Sequence, residues 1–308
     1  MKTKLTEMFG IEYPIVQSGM QWLAVPQLAA AVCNAGGIGT INVTCWPTLD
    51  EFADALDEMN SLTNKPYIVN ISLAPTQRLD NEEIRKTIRL CGEKHVAAIE
   101  TSAEDPREFI ADIKSAGMRH FHKCPNYKVS MSMERKGLDG VIIAGYEVGG
   151  HPSADGVGTF VIARRCAADM KIPVIAAGGV YTGEDIKKYM DLGASGVQMG
   201  TRFVATYECD ADDRFKQAYI DAKQEDVTII KSPVGMPGRA LVNNFIDSMR
   251  DGGKKPFKCI FHCVKTCEQE KTPYCIAAAL INAVHIRVPH IGMRCGRYTT
   301  GTRNTGTR

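Results

Sequence analysis

The chain has almost no excess of either charge: 37 Lys and Arg stand against 35 Asp and Glu, a formal net charge of +2. A nucleic-acid partner normally needs a concentrated basic surface, so this balance argues against one. Long apolar runs are also missing. The stretch YCIAAALINAV near the end is too short to span a bilayer. The opening MKTKLTEMFG is basic but has no apolar core segment, so no secretory signal is visible. A third absence is the Gly-rich dinucleotide fingerprint expected after the first strand of an open doubly wound sheet. QSGMQW is a poor match to it. These absences predict a soluble, cytoplasmic protein with neither a membrane nor a nucleic acid as partner.

What is present is a large core and many thiols. Hydrophobic residues make up 44% of the 308 positions, enough for one large domain or two smaller ones. Nine of the 11 cysteines fall into two groups. Cys33, Cys45, Cys91, Cys166 and Cys209 are scattered and read as buried thiols, since a free Cys behaves as a small hydrophobe. Cys259, Cys263, Cys267 and Cys275 are clustered, and in a cytosolic chain clustering points to metal or redox chemistry.

Eight short runs rich in Val and Ile recur up to residue 201: YPIVQ, GIGTI, YIVNIS, VAAIET, MRHFHK, GVIIAG, IPVIAAG and GVQMGT. Amphipathic stretches such as PTLDEFADALDEMNSL and DPREFIADIKSAG separate them. Strand–helix alternation predicts a parallel sheet. Eight strands in about 200 residues predict a closed (β/α)8 TIM barrel, an α/β fold whose sites lie at the C-terminal ends of the strands. Polar and glycine residues cluster at those ends: Gln17, Gly19, Met20, Asn70, Ser72, Lys123, then Glu147 to His151, Gly178, Gly179, Gly200 and Thr201. The pairs AAGG (176–179) and MGTR (199–202) follow the seventh and eighth runs. Backbone N–H groups of glycine loops can reach phosphate oxygens with no Cβ in the way, so these read as a phosphate cradle.

In MRHFHK, side chains alternate faces. Phe121 and Lys123 share one face and His120 and His122 the other. Lys123 pointing into the barrel mouth could stabilise an anionic ring. His120 and His122 read as packed or hydrogen-bonded under a helix. The stretch GYEVGGH (145–151) ends the sixth run with three glycines and a histidine, an arrangement suited to a flat cofactor with a proton-moving group at its reactive edge.

The segments YPIVQSGMQWLAVPQLAAAVCNAGGIGTI, HKC, GYEVGGHPSADGV, IPVIAAGGVYTGEDI and LGASGVQMGTRFVAT resemble the nitronate monooxygenase family, formerly 2-nitropropane dioxygenases, to which flavin-dependent enoyl-ACP reductases are related. The resemblance covers roughly residues 1–245. It implies an FMN-dependent oxidoreductase on a TIM barrel. By motif, Gly19, Met20, Asn70 and Ser72 would lie along the flavin, with Gln198 among its contacts. Lys123 would approach the edge that becomes negative on reduction, and Gly149 and Gly150 would back the ring. Ala177, Gly178, Gly179, Gly200 and Thr201 would bind the phosphate. His151 would be the catalytic histidine.

The family's usual C-terminal helical lid looks shortened. Residues 246–290 form a Cys-rich helical extension after a barrel domain of 1–245, and 291–308 form an irregular tail. Cys259, Cys263, Cys267 and Cys275 are spaced C-x3-C-x3-C-x7-C, a set that could hold a 4Fe-4S iron–sulfur cluster or zinc. Three functions follow: oxidation of alkyl nitronates, NAD(P)H-dependent reduction of an enoyl thioester or quinone, and electron transfer or redox sensing through the cluster. The corresponding partners are a small-molecule substrate, acyl carrier protein or an electron-transfer protein, with room for a homodimer.

Overall fold

A computed structural model of the chain describes residues 1–74, 80–255, 257–258, 263–264 and 267–285. Each of the eight predicted runs becomes a strand: β1 Ile15–Gln17, β2 Thr40–Asn42, β3 Ile68–Ser72, β4 Ala98–Ser102, β5 Arg119–Cys124, β6 Gly140–Ala144, β7 Val174–Ala177 and β8 Gly196–Met199. Neighbours pair in parallel in the order β1-β8-β7-β6-β5-β4-β3-β2. The ring closes just before β2, where Ile38 pairs with Val16. Ile38 N–H donates to the Ile15 carbonyl at 3.0 Å, and the Ile38 carbonyl accepts from Gln17 N–H at 2.9 Å. The predicted (β/α)8 barrel is therefore the fold.

Helix α1, Lys4–Phe9, precedes the barrel; a Thr3–Thr6 capping box starts it and Gly10, at φ 63°, ends it. Leu5 on α1 packs into the barrel's N-terminal end with Val16, Ile38, Ile68, Ala98, Phe121, Ile142 and Ile175. The surrounding helices are α2 Pro26–Asn34, α3 Leu49–Leu62, α4 Asn81–Glu93, α5 Ile110–Ser115, α6 Tyr127–Arg135, α7 Thr159–Asp169, α8 Gly183–Asp191 and α9 Thr201–Val204. The alternate residues of the strands face them. Val69, Ile71 and Ile99 join one helix-facing cluster, and Val141, Ile143, Val174, Ala176 and Val197 join a second. This period-two partition makes the strands nearly all apolar, because both faces are covered. The five scattered cysteines, Cys33, Cys45, Cys91, Cys166 and Cys209, are buried as expected.

After the barrel come α10 Asp213–Asp221, an antiparallel hairpin of β9 Val227–Lys231 and β10 Pro237–Leu241, α11 Asn244–Arg250 and α12 Ile276–His285. Val284 on α12 joins Leu23, Leu28, Val32 and Val204, so α12 returns to the barrel beside α2 and α9. The hairpin is the element the hydrophobic runs did not announce. Among the described residues, no helix is long and apolar enough to cross a membrane.

Candidate active site at the barrel mouth

The barrel interior changes character along the strands. Ile38, Ile68, Ala98 and Phe121 are its apolar layer. Two residues further on, the same face carries Thr40, Asn70, Glu100 and Lys123, and β8 contributes Gln198. Glu100 is 0% exposed and is the hub of this polar layer. Lys123 Nζ lies 2.9 Å from its Oε1. Asn70 Nδ2 donates to the same oxygen at 2.7 Å, and Gln198 Nε2 donates to Oε2 at 2.5 Å. Ser18 Oγ sits 3.4 Å from Lys123 Nζ. A buried carboxylate survives only with such partners, since an isolated one would lose several kcal/mol of hydration with no return. Three sequence-predicted residues, Asn70, Lys123 and Gln198, are thus brought together by a fourth that the motifs did not name. Its signal was a lone glutamate inside the apolar run VAAIET.

Two buried polar atoms of this layer have no partner among the described residues: Gln198 Oε1 and Thr40 Oγ1. Unsatisfied buried polar atoms are rare and need a reason, such as an absent ligand or water. Beside them the backbone approaches its neighbours closely. A Cβ on Gly19 would come within 3.0 Å of the Asn70 Cβ, and one on Gly200 within 3.4 Å of Met20 Sδ. Gly19, Met20 and Gly200 therefore share the space next to Asn70. Orphaned acceptors, donors held by Glu100 and glycine-lined backbone fit a flat ring with several polar edge atoms.

The loops after β7 and β8 carry the glycines read from the sequence as a phosphate cradle. Gly178 and Gly179 have φ of +94° and +68°, a region glycine adopts without strain. A Cβ on Gly178 would lie 2.4 Å from Val148 N, so the β6–α7 loop is pressed onto it. The Ala177 carbonyl is occupied by Thr159 Oγ1 at 2.9 Å. Gly200 precedes α9, whose first N–H groups, beginning at Thr201, have no intrahelical acceptor. Ser72 stands apart from the Glu100 network; its Oγ lies 3.4 Å from Ala74 N–H.

GYEVGGH is the loop between β6 and α7. Glu147, the least explained residue in the sequence, caps α7: its Oε2 accepts from Thr159 N–H at 2.7 Å, where the N-cap Gly158 has no side chain to do so. Gly149 and Gly150 are exposed, with open space where a Cβ would project. The hairpin braces the loop. Gly150 bridges to Arg239 on β10, with Arg239 N–H on the Gly150 carbonyl at 2.8 Å. The Arg239 guanidinium donates to the carbonyls of Val148 at 3.1 Å and Tyr146 at 2.6 Å. His151 Nε2 lies 3.2 Å from Ser232 Oγ at the end of β9. Partial desolvation lowers the His151 pKa below that of a free imidazole. Its partner is thus a hairpin residue, not one of the predicted site residues. Ser232 and Arg239 carry no sequence signal, because their role depends on where the hairpin docks.

His120 and His122 face outward as expected and are buried, 0% and 2% exposed. Thr101 Oγ1 lies 2.9 Å from His120 Nε2 and 2.9 Å from His122 Nδ1. Burial lowers both pKa values to about 4. Of the clustered cysteines, Cys259 lies outside the described residues, and Cys263, Cys267 and Cys275 are half-buried. Among the described residues, no three His, Cys, Asp or Glu side chains group to hold a metal.

The sequence profile of nitronate monooxygenase matches residues 2–287, a span that includes the cysteine cluster. A Rhodococcus jostii protein, (3aS,4S,5R,7aS)-5-hydroxy-7a-methyl-1-oxo-octahydro-1H-indene-4-carboxyl-CoA dehydrogenase, is 34% identical over 253 residues, covering 82% of this chain and 69% of that protein. FabK from Thermotoga maritima superposes with a TM-score of 0.74 at 33% identity, over 82% of this chain and 78% of that one. The nitroalkane oxidase of Streptomyces ansochromogenes gives 0.70 at 26% identity, over 80% and 81%. The chain belongs to the nitronate monooxygenase family and is a flavin-dependent oxidoreductase.

Proposed function

We propose that the protein is an FMN-dependent enzyme that oxidises nitronates and their parent nitroalkanes at the barrel mouth. The bound flavin would accept electrons from the substrate carbon. The protein's own residues do the rest. Asn70, Gln198 and Lys123 would hold the ring's polar edge, the backbone at Gly178, Gly179, Gly200 and Thr201 would take the phosphate, and His151 would move the proton. The observation that carries this reading is His151 held 3.2 Å from Ser232 Oγ on the loop between β6 and α7. An imidazole in its neutral form can remove the acidic proton beside the nitro group of a nitroalkane, and Ser232 orients the ring.

A second reading is favoured by the likeness to FabK and to a carboxyl-CoA dehydrogenase: reduction of an enoyl thioester with NAD(P)H as electron donor. The same histidine would then return a proton to the carbon beside the thioester carbonyl. Anaerobic mixing separates the two. Bleaching of the flavin by a nitronate, with NADH and NADPH inert, supports nitronate oxidation. Bleaching by a reduced nucleotide, followed by recovery on adding an enoyl thioester, supports the second. Absence of FMN from the purified protein would sink both. A cysteine-held cluster as an electron outlet stays a proposal for iron, sulfide and zinc analysis, and an acyl carrier protein or a second copy of the chain for co-purification.

A further inference from the structure

Glu100 belongs to no motif named in the sequence, yet the side-chain donors of Asn70, Lys123 and Gln198 all converge on it. We propose that Glu100 sets the reduction potential of the flavin by cancelling the charge of Lys123. The inference rests on the reading that the flavin lies across this layer.

The argument is electrostatic. When a flavin takes two electrons and one proton from its donor, the donor is oxidised by two electrons and the ring gains one negative charge. An unpaired ammonium in a water-poor mouth would favour that reduced form strongly. Lys123 is not unpaired: its Nζ lies 2.9 Å from a carboxylate that is itself 0% exposed. The pair presents an oriented N–H to the mouth with little net charge. An ammonium has three donors, and Glu100 and Ser18 account for two of them. Asn70 and Gln198 pin the carboxylate, so it cannot swing away from Lys123 on reduction. The site then avoids overstabilising the reduced ring, which would have to give its electrons up again in every turnover.

Glu100→Gln isolates the charge. The new carbonyl still accepts from Lys123 and Asn70. The new amide N–H meets Gln198, whose amide can turn to present the presently unpartnered Oε1. Shape and hydrogen bonds persist while one negative charge is lost.

The test is spectroelectrochemical titration of flavin-loaded wild-type protein, Glu100→Gln, Lys123→Met and the double variant, alongside FMN dissociation constants from fluorescence. Glu100→Gln is expected to raise the affinity for reduced over oxidised flavin about tenfold, which moves the midpoint upward by about 30 mV. Lys123→Met is expected to move it downward. The double variant, with both charges gone, is expected to return close to wild type, and it serves as the test if Glu100→Gln yields no folded protein. An unchanged midpoint in Glu100→Gln, with Lys123→Met shifted, overturns the inference while leaving the flavin site intact. No shift in either single variant overturns the placement of the flavin over this layer. Wild-type protein that binds no FMN overturns the functional reading itself.

Discussion

The candidate site has two halves that are built differently. The polar layer around Glu100 comes from five strands of one closed barrel, and on β2 to β5 each polar residue lies two positions beyond an apolar neighbour. The His151 loop is held from outside, by a hairpin that lies more than eighty residues further along the chain. The first half is rigid because it shares its backbone with the barrel core. The second is as rigid as four hydrogen bonds to the hairpin make it. Charge is handled differently as well. Inside the barrel Lys123 pairs with Glu100 at 2.9 Å, whereas on the loop partial desolvation lowers the His151 pKa.

That contrast can be broken in order of effect. The largest change is expected from His151→Ala. Losing a positioned acid or base should lower turnover about 10²- to 10⁴-fold with FMN retained, because the barrel half of the site is untouched. Steady-state rates on the better substrate, with flavin content measured on the same sample, check this; unchanged turnover would remove His151 from the mechanism. Glu100→Ala attacks the other half. It strands a part-buried lysine and frees two amides at once, so stability should fall by about 3–5 kcal/mol in urea unfolding. A drop under about 1 kcal/mol would mean that the network relaxes or hydrates without cost.

Acid sharpens the comparison from the opposite face of β5. His120 and His122 titrate near 4 in the fold against 6.5 ordinarily, so the unfolded chain takes up protons first as pH falls. Stability is full above about pH 6.5 and is lost between 6.5 and 4, by up to about 3 kcal/mol for each ring. Urea midpoints measured across that range should fall with acidity, and a flat profile would contradict the burial argument. The smallest effect is expected from Arg239→Ala. Its acceptor carbonyls lie on a largely exposed loop and can turn to water, so the melting temperature should barely move. Turnover should drop about tenfold, because loosening the loop misplaces His151. An equal loss of stability and rate would make Arg239 a structural residue and nothing more.

Much of this was open to a reader of the sequence. The eight Val- and Ile-rich runs sit where the strands are, because a barrel buried on both faces demands apolar residues at nearly every strand position. Alternation placed Phe121 and Lys123 inward and His120 and His122 outward, since successive side chains on a strand cannot share a face. The glycines at 178 and 179 declared a backbone with positive φ. The residues missed are those whose meaning comes from a distant partner. Glu100 reads as one acid in an apolar run until β3, β5 and β8 are wrapped beside it. Glu147 reads as a candidate ligand contact until it is seen capping a helix whose own N-cap is a glycine.

Sequence by itself thus determined the barrel and the residue types gathered at the C-terminal ends of its strands, because these follow from local periodicity and backbone sterics. Only the tertiary structure decided which charges neutralise each other and what holds the histidine. Lys123 and Glu100 are 23 positions apart and His151 and Ser232 are 81 apart. Contacts at such separations depend on how the strands curl and where the hairpin lands, and no periodicity along the chain encodes either.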